Sequence, residues 1–477
     1  MKSGGSRTGA IARAEAYFDG GEFADELAHR VAFRTESQRL PETLTECRRY
    51  LDEAMIPAFE VMGFTCRTFA NPVSGQGPVL LATRMENEKL PTVLGYGHGD
   101  VVHSMEGEWT KGRGPWETAR EGSRIYGRGT ADNKAQHTIN MAALRAVLTE
   151  REGKLGFNAK FIVEMGEETG SKGLRELVRA RKDDFGADVF IASDGPRVSP
   201  ERPTLFLGCR GTVYFDLIVD LREGGHHSGN WGGLIANPGI ILAHALASIV
   251  GPSGELLVEE LKAPPISATV REALRDVEID SGEEGAPAID AWWGEPELTP
   301  AERVYGANSF NVVAFSTGTP GRPVNAIPPK AVANCQLRCV AGTDAGGIVP
   351  ALERHLRAKG YPLVQVVPSK LNDGAFSATR TALDHPWAIF VRDSIQTSSG
   401  VKPAVLPSMG GSICNDIFTG DLGLPAIWIP HSYTACAQHA PDEHILLPLT
   451  RGALRLMTDL YWDIGDGRTP AKKRQLV

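Results

Sequence analysis

Seven acidic and imidazole side chains lie in short polar segments of the chain, most of them directly after apolar runs. They are His98 and Asp100 in GYGHGDVV, Asp132 in GRGTADNKA, Glu167 and Glu168 in EMGEETGS, Asp194 in ASDGP, and His439 in QHAPDEH. Imidazole nitrogens and carboxylate oxygens are ligands that zinc, manganese and cobalt accept. Taken alone, the Glu167-Glu168 pair fits a solvated loop. A bound cation would equally explain it, if one glutamate ligates the ion and the other carries a proton during turnover.

The elements that position these side chains are predicted to be strands of one sheet. Apolar runs at Val79–Thr83, Thr92–Tyr96, Ala159–Val163 and Val189–Ala192 predict strands, and Lys134–Thr149 predicts a helix between the second and the third. Short apolar strands that alternate with helices indicate an α/β sheet covered on both faces. The last three strands run straight into polar segments. Because sites in open α/β sheets form at the carboxyl ends of strands, these segments are expected to share one edge.

The chain is predicted to form two parts of one domain, which are separated by an inserted domain. Helices are predicted at 12–34, 41–62, 237–250, 347–359, 387–394 and 449–464, and further strands at 212–221, 330–340, 363–367 and 426–429. The stretch from about 262 to 302 is irregular, acidic and contains prolines. The predicted architecture is therefore an α/β domain with a mixed sheet covered by helices, residues 1–208 and 376–477, and an inserted α+β domain, residues 209–375.

Composition excludes several classes of protein. The 477 residues carry a net charge of −8, and the single basic cluster, at 472–474, reads as a solvated tail, so neither a nucleic-acid nor an anionic-membrane partner is expected. No stretch approaches the length of an apolar membrane span. The amino-terminal segment lacks the apolar region of a signal peptide. Seven cysteines, an odd number without a CxxC pair, indicate neither a disulfide framework nor a cysteine zinc site, and a cytoplasmic protein is expected.

Five of these segments, in this order, resemble the M20 family of di-metal peptidases and amidases. They are GYGHGDVV, IYGRGTADNKA, EMGEETGS, ASDG and HAPDEH. His98, Asp132, Glu168 and Asp194 are separated by 34, 36 and 26 residues, and the 245 residues from Asp194 to His439 leave room for the insertion. The resemblance covers about residues 20–465, and the layout is most similar to the carnosinase-like dipeptidase branch.

The resemblance implies two divalent ions per subunit, with zinc expected first and manganese or cobalt as alternatives. It assigns His98 and Asp194 to one ion, Glu168 and His439 to the other, and Asp132 to a bridge between them. Carboxylate bridges offset the repulsion of two close cations. Family members also often have a cis peptide bond after the bridging aspartate, here Asp132-Asn133.

Two further residues receive roles in the chemistry by the same resemblance. Asp100 is similar to the carboxylate that accepts the second N–H of the His98 ring and fixes its orientation. Glu167 is similar to the general base, which takes a proton from the attacking water and returns it to the departing nitrogen.

The insertion resembles a lid that binds substrate and forms a two-fold homodimer. His227, in GGHHSGNWGG, matches a histidine that reaches across the dimer to the substrate carbonyl. Arg338, in QLRCV, matches an arginine that pairs with the substrate carboxylate. Asn325, in VNAIPP, matches a polar residue facing the substrate, and Gly411 and Ser412, in GGSI, match a loop that lines the pocket.

The sequence departs from the family pattern near that loop. Cys414 stands where a proline is usual, and Ser408-Met409 stands where carnosinase-like members have Arg-Glu.

The activity that the resemblance implies is hydrolysis of an amide or peptide bond in a small substrate with a free carboxylate, by a dipeptidase or carboxypeptidase. The alternatives are an N-acyl-amino-acid deacylase of the same family and a noncatalytic, metal-binding dimeric scaffold.

Overall fold

A mixed eight-stranded sheet forms the centre of the part of the molecule that carries the polar segments. The computed structural model describes residues 5–279, 288–372 and 375–470, so the basic cluster at 472–474 lies outside the described residues. In spatial order the strands are Thr65–Phe69, Val79–Arg84, Asn158–Glu164, Thr92–His98, Val189–Ala192, Ala426–Trp428, Thr204–Phe206 and Ala404–Leu406. Strand Thr92–His98 pairs in parallel with both Asn158–Glu164 and Val189–Ala192. The carboxyl ends of these three strands therefore meet at one edge, as the sequence predicts.

Helices cover both faces of this sheet, which confirms the predicted α/β class. Consecutive strand residues point to opposite faces, so Phe161 joins one core cluster and Ile162 the other. The first face is covered by Arg7–Asp19, Lys134–Glu150, Pro386–Ser399 and Leu447–Gly465, which pack against one another. The second face is covered in part by Leu174–Ala180, followed in the chain by the short helix Lys182–Phe185.

The helical region at the amino terminus differs from its prediction at one point. Residues 12–34 were expected to form a single helix, but the chain forms Arg7–Asp19 and Glu22–Val31. Between them Gly21 has φ of +99°, a left-handed conformation that a continuing helix does not accommodate. The single-helix prediction is wrong for this reason. The next predicted helix, 41–62, is confirmed as a continuous helical run over residues 44–60, with a π-helical segment at Tyr50–Met55.

The insertion contains a second, smaller sheet, which we call the lid sheet. Its four antiparallel strands lie in the order Ser309–Thr317, Lys330–Cys339, Gly211–Asp220 and Gln365–Pro368. Helices Pro238–Ile249 and Ile348–Ala358 pack on one face, where alternate strand residues such as Phe215, Leu217 and Val219 are buried. Strand Ser309–Thr317 forms an edge of this sheet and was not predicted.

Part of the insertion contacts the larger sheet as well as the lid. We call residues 266–279 and 288–305 the connecting segment; it contains helices Ala268–Leu274 and Pro300–Tyr305. Val270 and Leu274 join the same hydrophobic cluster as Phe206 and Leu406 of the larger sheet. The connecting segment is therefore attached to the core that also carries the polar segments. Among the described residues, no helix combines the length and the apolar composition that crossing a bilayer requires.

Candidate metal centre and substrate cavity

The five predicted metal ligands come from five separate segments at one edge of the larger sheet. His98 is the last residue of its strand, and Asp194 follows the strand Val189–Ala192 by two residues. Asp132 lies just before the helix that begins at Lys134, and Glu168 lies in the short 3₁₀ turn Glu167–Thr169. His439 lies in the loop between the short strands Ser432–Tyr433 and His444–Leu446. The fold thus brings together residues that are up to 341 positions apart in the chain.

The side chain of Asp132 lies between two imidazole–carboxylate pairs. Its Oδ1 is 2.9 Å from Nε2 of His98, and its Oδ2 is 3.1 Å from Nε2 of His439. The same His98 nitrogen is 3.6 Å from Oδ2 of Asp194, and the same His439 nitrogen is 3.0 Å from Oε2 of Glu168. Nε2 of each imidazole therefore lies near both Asp132 and one further carboxylate, and ligand atoms of His98, Asp132 and Glu168 lie within 4.8 Å of one another.

The charges at this centre fit a cation. Burial, followed by repulsion from Asp132, raises the pKa of Glu168 and of Asp194 to about 7 each. Burial acts in the same direction on Asp132, but hydrogen bonds from His439 and His98 hold its pKa below the ordinary range. Hydrogen bonds to Asp132 and Glu168 raise the pKa of His439 to about 11. Oε1 of Glu168 is buried and has no hydrogen-bond partner among the described residues. Divalent cations would neutralise the carboxylates and occupy that oxygen, so the donor set fits a metal centre.

Asp100 orients two parts of the site at once. The Nδ1 atom of His98 is 3.0 Å from the carbonyl oxygen of Asp100 and 3.4 Å from its Oδ1. The two carboxylate oxygens of Asp100 accept the backbone N–H groups of Glu167 and Glu168, at 3.2 and 3.1 Å. The side chain is fully buried. Asp100 therefore holds both the His98 ring and the turn that carries the two glutamates.

Glu167 lies in the wall of the cavity, beside the predicted ligands. Burial raises its pKa well above that of a free glutamate, and the nearby charges of Asp194, Glu168 and Asp132 act in the same direction. A carboxyl group with a raised pKa is suited to proton transfer near neutral pH.

Glu443 is a buried residue of the site that sequence reasoning missed. Its carboxylate accepts backbone N–H groups from Gly129, Ala131 and Asp132 at 2.8 to 3.0 Å, and Nη1 of Arg128 at 2.8 Å. These contacts fix the loop that presents the Asp132 side chain. The one signal in the sequence is the position of Glu443 inside the HAPDEH segment.

A second buried network joins the Asp132 loop to the Asp194 loop. The Asn133 side chain donates to the carbonyl oxygen of Ser193 at 2.8 Å and lies 3.1 Å from Nδ1 of His137. The Tyr50 hydroxyl lies 2.6 Å from Nε2 of the same imidazole. The predicted cis peptide bond Asp132-Asn133 is present. Tyr50 and His137 had no predicted role, because neither lies in a recognised segment.

Two guanidinium groups meet beside the Gly410–Ser412 loop. Nη1 of Arg338 donates to the hydroxyls of Thr212 and Ser412, each at 2.9 Å. Nε of Arg210 donates to the carbonyl of Gly410 at 2.8 Å, and the pKa of Arg210 falls to about 10 because it is buried and close to Arg338. Neither arginine makes an ion pair with any described carboxylate. Of these two cations only Arg338 was predicted, since Arg210 lies outside the recognised segments.

A cavity of about 570 Å³ lies beside the predicted metal centre, and Arg338 is not among its described lining residues. Its described lining includes Asp132, Glu167, Asp194 and His439, together with the Gly410–Ser412 loop. A volume of this size fits a small ligand such as a dipeptide. The predicted residues Gly411 and Ser412 therefore share the cavity with the predicted metal centre.

His227 and Asn325 lie elsewhere, on the lid. His227 belongs to a short strand that pairs with Ala326–Ile327, and the N–H of Ser228 donates to the carbonyl of Asn325 at 2.9 Å. Both predicted residues are exposed, and neither is among the described residues lining the cavity. Within one chain the structure brings neither of them to the cavity. For His227 this agrees with the cross-subunit role that the resemblance implies, whereas Asn325 was expected to face the substrate.

Comparison with known proteins places this geometry in a family. The family model described as "Peptidase family M20/M25/M40" matches residues 94–462. Over 388 residues the chain is 28% identical to the Beta-Ala-His dipeptidase of Rattus norvegicus, covering 77% of this chain and 76% of the relative. Over 329 residues it is 29% identical to the Cysteinylglycine-S-conjugate dipeptidase of Corynebacterium striatum, covering 68% and 70%.

The fold also matches solved structures. The di-peptidase Dug1p from Saccharomyces cerevisiae superposes with a TM-score of 0.76 over 97% of this chain and 99% of that chain, at 19% identity. This likeness supports the fold, and the family model, which matches well over half of the chain, supports the family. The chain belongs to peptidase family M20/M25/M40 and is a metallopeptidase.

Proposed function

We propose that the protein is a dipeptidase that cleaves the peptide bond of dipeptides with a free carboxylate. The observation that carries the proposal is the position of Asp132 between the His98–Asp194 and His439–Glu168 pairs, with Glu167 in the same cavity. Curated relatives with similar sequences are dipeptidases, which supports the same substrate class.

The proposed chemistry divides between bound metal and the side chains. Two divalent ions, zinc first, would polarise the scissile carbonyl and lower the pKa of a bound water. His98, Asp194, Asp132, Glu168 and His439 would hold these ions. Glu167 would accept the proton of the attacking water and pass it to the departing nitrogen, a transfer that its raised pKa favours. Asp100 and Glu443 would keep the turn and the loop in register, through the contacts to Glu168 and Asp132.

The proposed site for the substrate carboxylate is the end of the cavity beside Ser412. Arg338 lacks a described carboxylate partner, and its guanidinium already reaches the Ser412 hydroxyl. A planar guanidinium binds carboxylates in a two-pronged geometry. The nearby charge of Arg210 would strengthen the same attraction.

We further propose that the protein is a homodimer formed through the lid. The edge strand Ser309–Thr317 exposes Val312, Val313 and Phe315 by 43%, 64% and 42%. Ile240, on the helix that packs beside this strand, is 60% exposed. An edge strand with exposed apolar side chains pairs readily with a second copy. The dimer would bring the partner's lid, with its His227 and Asn325, to the cavity.

A reducing compartment such as the cytoplasm is the proposed location. All seven cysteines are free, and six of them are buried as thiols rather than paired.

The decisive experiment measures hydrolysis by metal-stripped protein that is reloaded with zinc, manganese or cobalt. The substrates would be dipeptides, longer peptides and N-acyl amino acids, each with a free or an amidated carboxylate. We expect metal-dependent cleavage of dipeptides with a free carboxylate. Cleavage of N-acyl amino acids in preference to dipeptides would replace the proposal by the deacylase alternative. Folded, metal-loaded protein that cleaves nothing in the panel would favour the noncatalytic scaffold.

A further inference from the structure

The cavity wall beyond the predicted metal ligands is apolar. Phe206, Val304, Tyr305 and Met409 line it, and they contribute aromatic and aliphatic surface. A wall of this composition binds apolar groups, because contact removes the apolar surfaces of both the wall and the ligand from water.

Two described charged residues, Arg197 and Glu278, also line the cavity away from the metal ligands. Arg197 is buried, and its guanidinium donates to the carbonyl oxygens of Pro430 and Pro200 at 3.0 and 3.4 Å. Glu278 is exposed and also lines the cavity. Nη2 of Arg197 is buried and has no hydrogen-bond partner among the described residues, so this guanidinium could still pair with an anionic group.

Met409 places the apolar wall beside the metal centre. Its terminal methyl is so close to Gly195, the residue after Asp194, that a Cβ on that glycine would lie 2.7 Å from it. Met409 is 7% exposed. It is three residues before Ser412 in the same loop, so the loop runs from the apolar wall to the proposed carboxylate site. In the proposed function the carboxyl-terminal residue of a dipeptide lies toward Ser412. Because Met409 reaches toward Asp194, the apolar wall there would contact the amino-terminal residue.

Helix Pro300–Tyr305 holds the wall in place. The Ser408 hydroxyl donates to the carbonyl of Tyr305 at 2.9 Å, and a Cβ at Gly410 would lie 3.3 Å from Cγ1 of Val304. The rings of Tyr305 and Phe206 are 6.5 Å apart, centre to centre. The helix begins with a capping box at Thr299. The wall is therefore preorganised.

We infer that the protein selects dipeptides whose amino-terminal residue carries a bulky apolar side chain, which packs against Val304, Tyr305 and Met409. This inference rests on the proposed function and names its substrate class. An apolar pocket discriminates by about tenfold or more for each methylene that it buries. It also disfavours cationic side chains, which lose hydration there and face the guanidinium of Arg197.

The test compares kcat/KM for Leu-Gly, Phe-Gly, Gly-Gly, Lys-Gly and Glu-Gly, and for the reversed Gly-Leu. Metal-loaded wild-type protein is expected to cleave Leu-Gly at least about tenfold more efficiently than Gly-Gly or Lys-Gly. A ratio near one, a preference for a charged amino-terminal residue, or a preference that follows the carboxyl-terminal side chain of Gly-Leu would overturn the inference.

Two near-isosteric variants, Met409→Gln and Val304→Thr, make the wall polar without changing its volume much. Each is expected to lower the Leu-Gly to Gly-Gly ratio by about fivefold or more, since each buries a polar group against the side chain. Val61→Thr, at a valine that is 84% exposed, is the matched control and should leave the ratio as in wild type. Unchanged ratios in both wall variants would contradict the assignment of the wall.

Binding separates this inference from the proposed function. Calorimetry with metal-loaded Glu167→Gln protein measures affinity for Leu-Gly and Gly-Gly without turnover. If the variant binds Leu-Gly about tenfold more tightly than Gly-Gly, the apolar site is supported. If wild-type protein then cleaves no dipeptide, only the proposed function fails. If wild-type protein cleaves dipeptides but Leu-Gly and Gly-Gly have equal affinity and equal kcat/KM, the inference is overturned and the proposed function stands.

Discussion

At the scale of single residues, the site depends on carboxylates with three distinct tasks. Asp132 lies between two imidazoles, Asp100 and Glu443 accept backbone N–H groups, and Glu167 keeps its side chain free for the cavity. Replacing each carboxylate by a neutral amide would therefore have a different effect for each task. Loss of a ligand or of a loop contact changes metal binding, whereas loss of the base changes turnover alone.

Glu167→Gln is therefore expected to bind the same number of metal ions as wild type and to lose turnover by about 10²- to 10⁴-fold. The amide keeps the size of the side chain but cannot accept the proton of the attacking water. Metal content by atomic spectroscopy and kcat on a dipeptide check the two halves of the prediction. Glu176→Gln, an exposed residue in the next helix, is the control. Wild-type turnover in Glu167→Gln, or loss of metal together with activity, would remove the assigned role.

Glu443→Gln is expected to weaken metal binding by about 10- to 100-fold, as for other residues that hold ligands in place. It should also lower the free energy of unfolding by about 3–5 kcal/mol, because it leaves the buried Arg128 guanidinium without its carboxylate. Metal titration and urea denaturation measure these effects. Glu117→Gln, in an exposed pair with Arg113, is the control. Unchanged metal affinity would show that the Asp132 loop is held by other contacts.

The sequence allows the ligands to be predicted because each lies in a short segment after a strand or before a helix. The residues that support them are harder to find. Glu443 looks like one of several charges in a polar loop, and Arg210 stands alone before the lid strand. Their importance arises only when the chain folds and their partners arrive from positions such as Gly129 and Arg338.

At the scale of elements, the parallel strands that carry the site were predictable and the edge of the lid was not. Thr92–His98 and Val189–Ala192 are uniformly buried, so their apolar runs are plain in the sequence. Strand Ser309–Thr317 is exposed over most of its length although it contains valines and phenylalanines. It lacks the alternation of a half-buried strand, and its apolar surface is explained by a partner rather than by its own sheet.

Val313→Lys on that strand is expected to shift the protein from dimer to monomer, because a charge would be buried at the proposed interface. Sedimentation equilibrium measures the change in mass. Val61→Lys places the same charge on an exposed valine of the other part of the molecule and should leave the mass unchanged. A Val313→Lys protein with the same mass as wild type would exclude this strand from the interface.

At the scale of the whole molecule, one chain does not bring every predicted residue to its own cavity. His227 and Asn325 are exposed on the lid, whereas the proposed ligands and Glu167 lie in the larger part. A two-fold dimer is isologous, so each lid would serve the opposite site by the same contacts. Activity would then depend on both subunits.

Mixing inactive His227→Ala and Glu167→Gln proteins tests this dependence. A hybrid dimer has one site that combines an intact Glu167 with an intact His227 of the partner. Random exchange makes about half of the dimers hybrid, so about a quarter of the wild-type activity is expected. Each variant mixed with itself is the control. No recovery after exchange has been verified by mass would place His227 outside the partner's site.

The packing of the connecting segment sets an order in which a substrate would be recognised. Helix Pro300–Tyr305 is attached to the core of the larger sheet, whereas Arg338 lies on a strand of the lid sheet. If the lid rotates, Arg338 moves with it and the apolar wall stays in place. Side-chain selection would then govern how quickly a dipeptide associates with the open protein. The free carboxylate would govern whether the associated dipeptide is committed to cleavage or released.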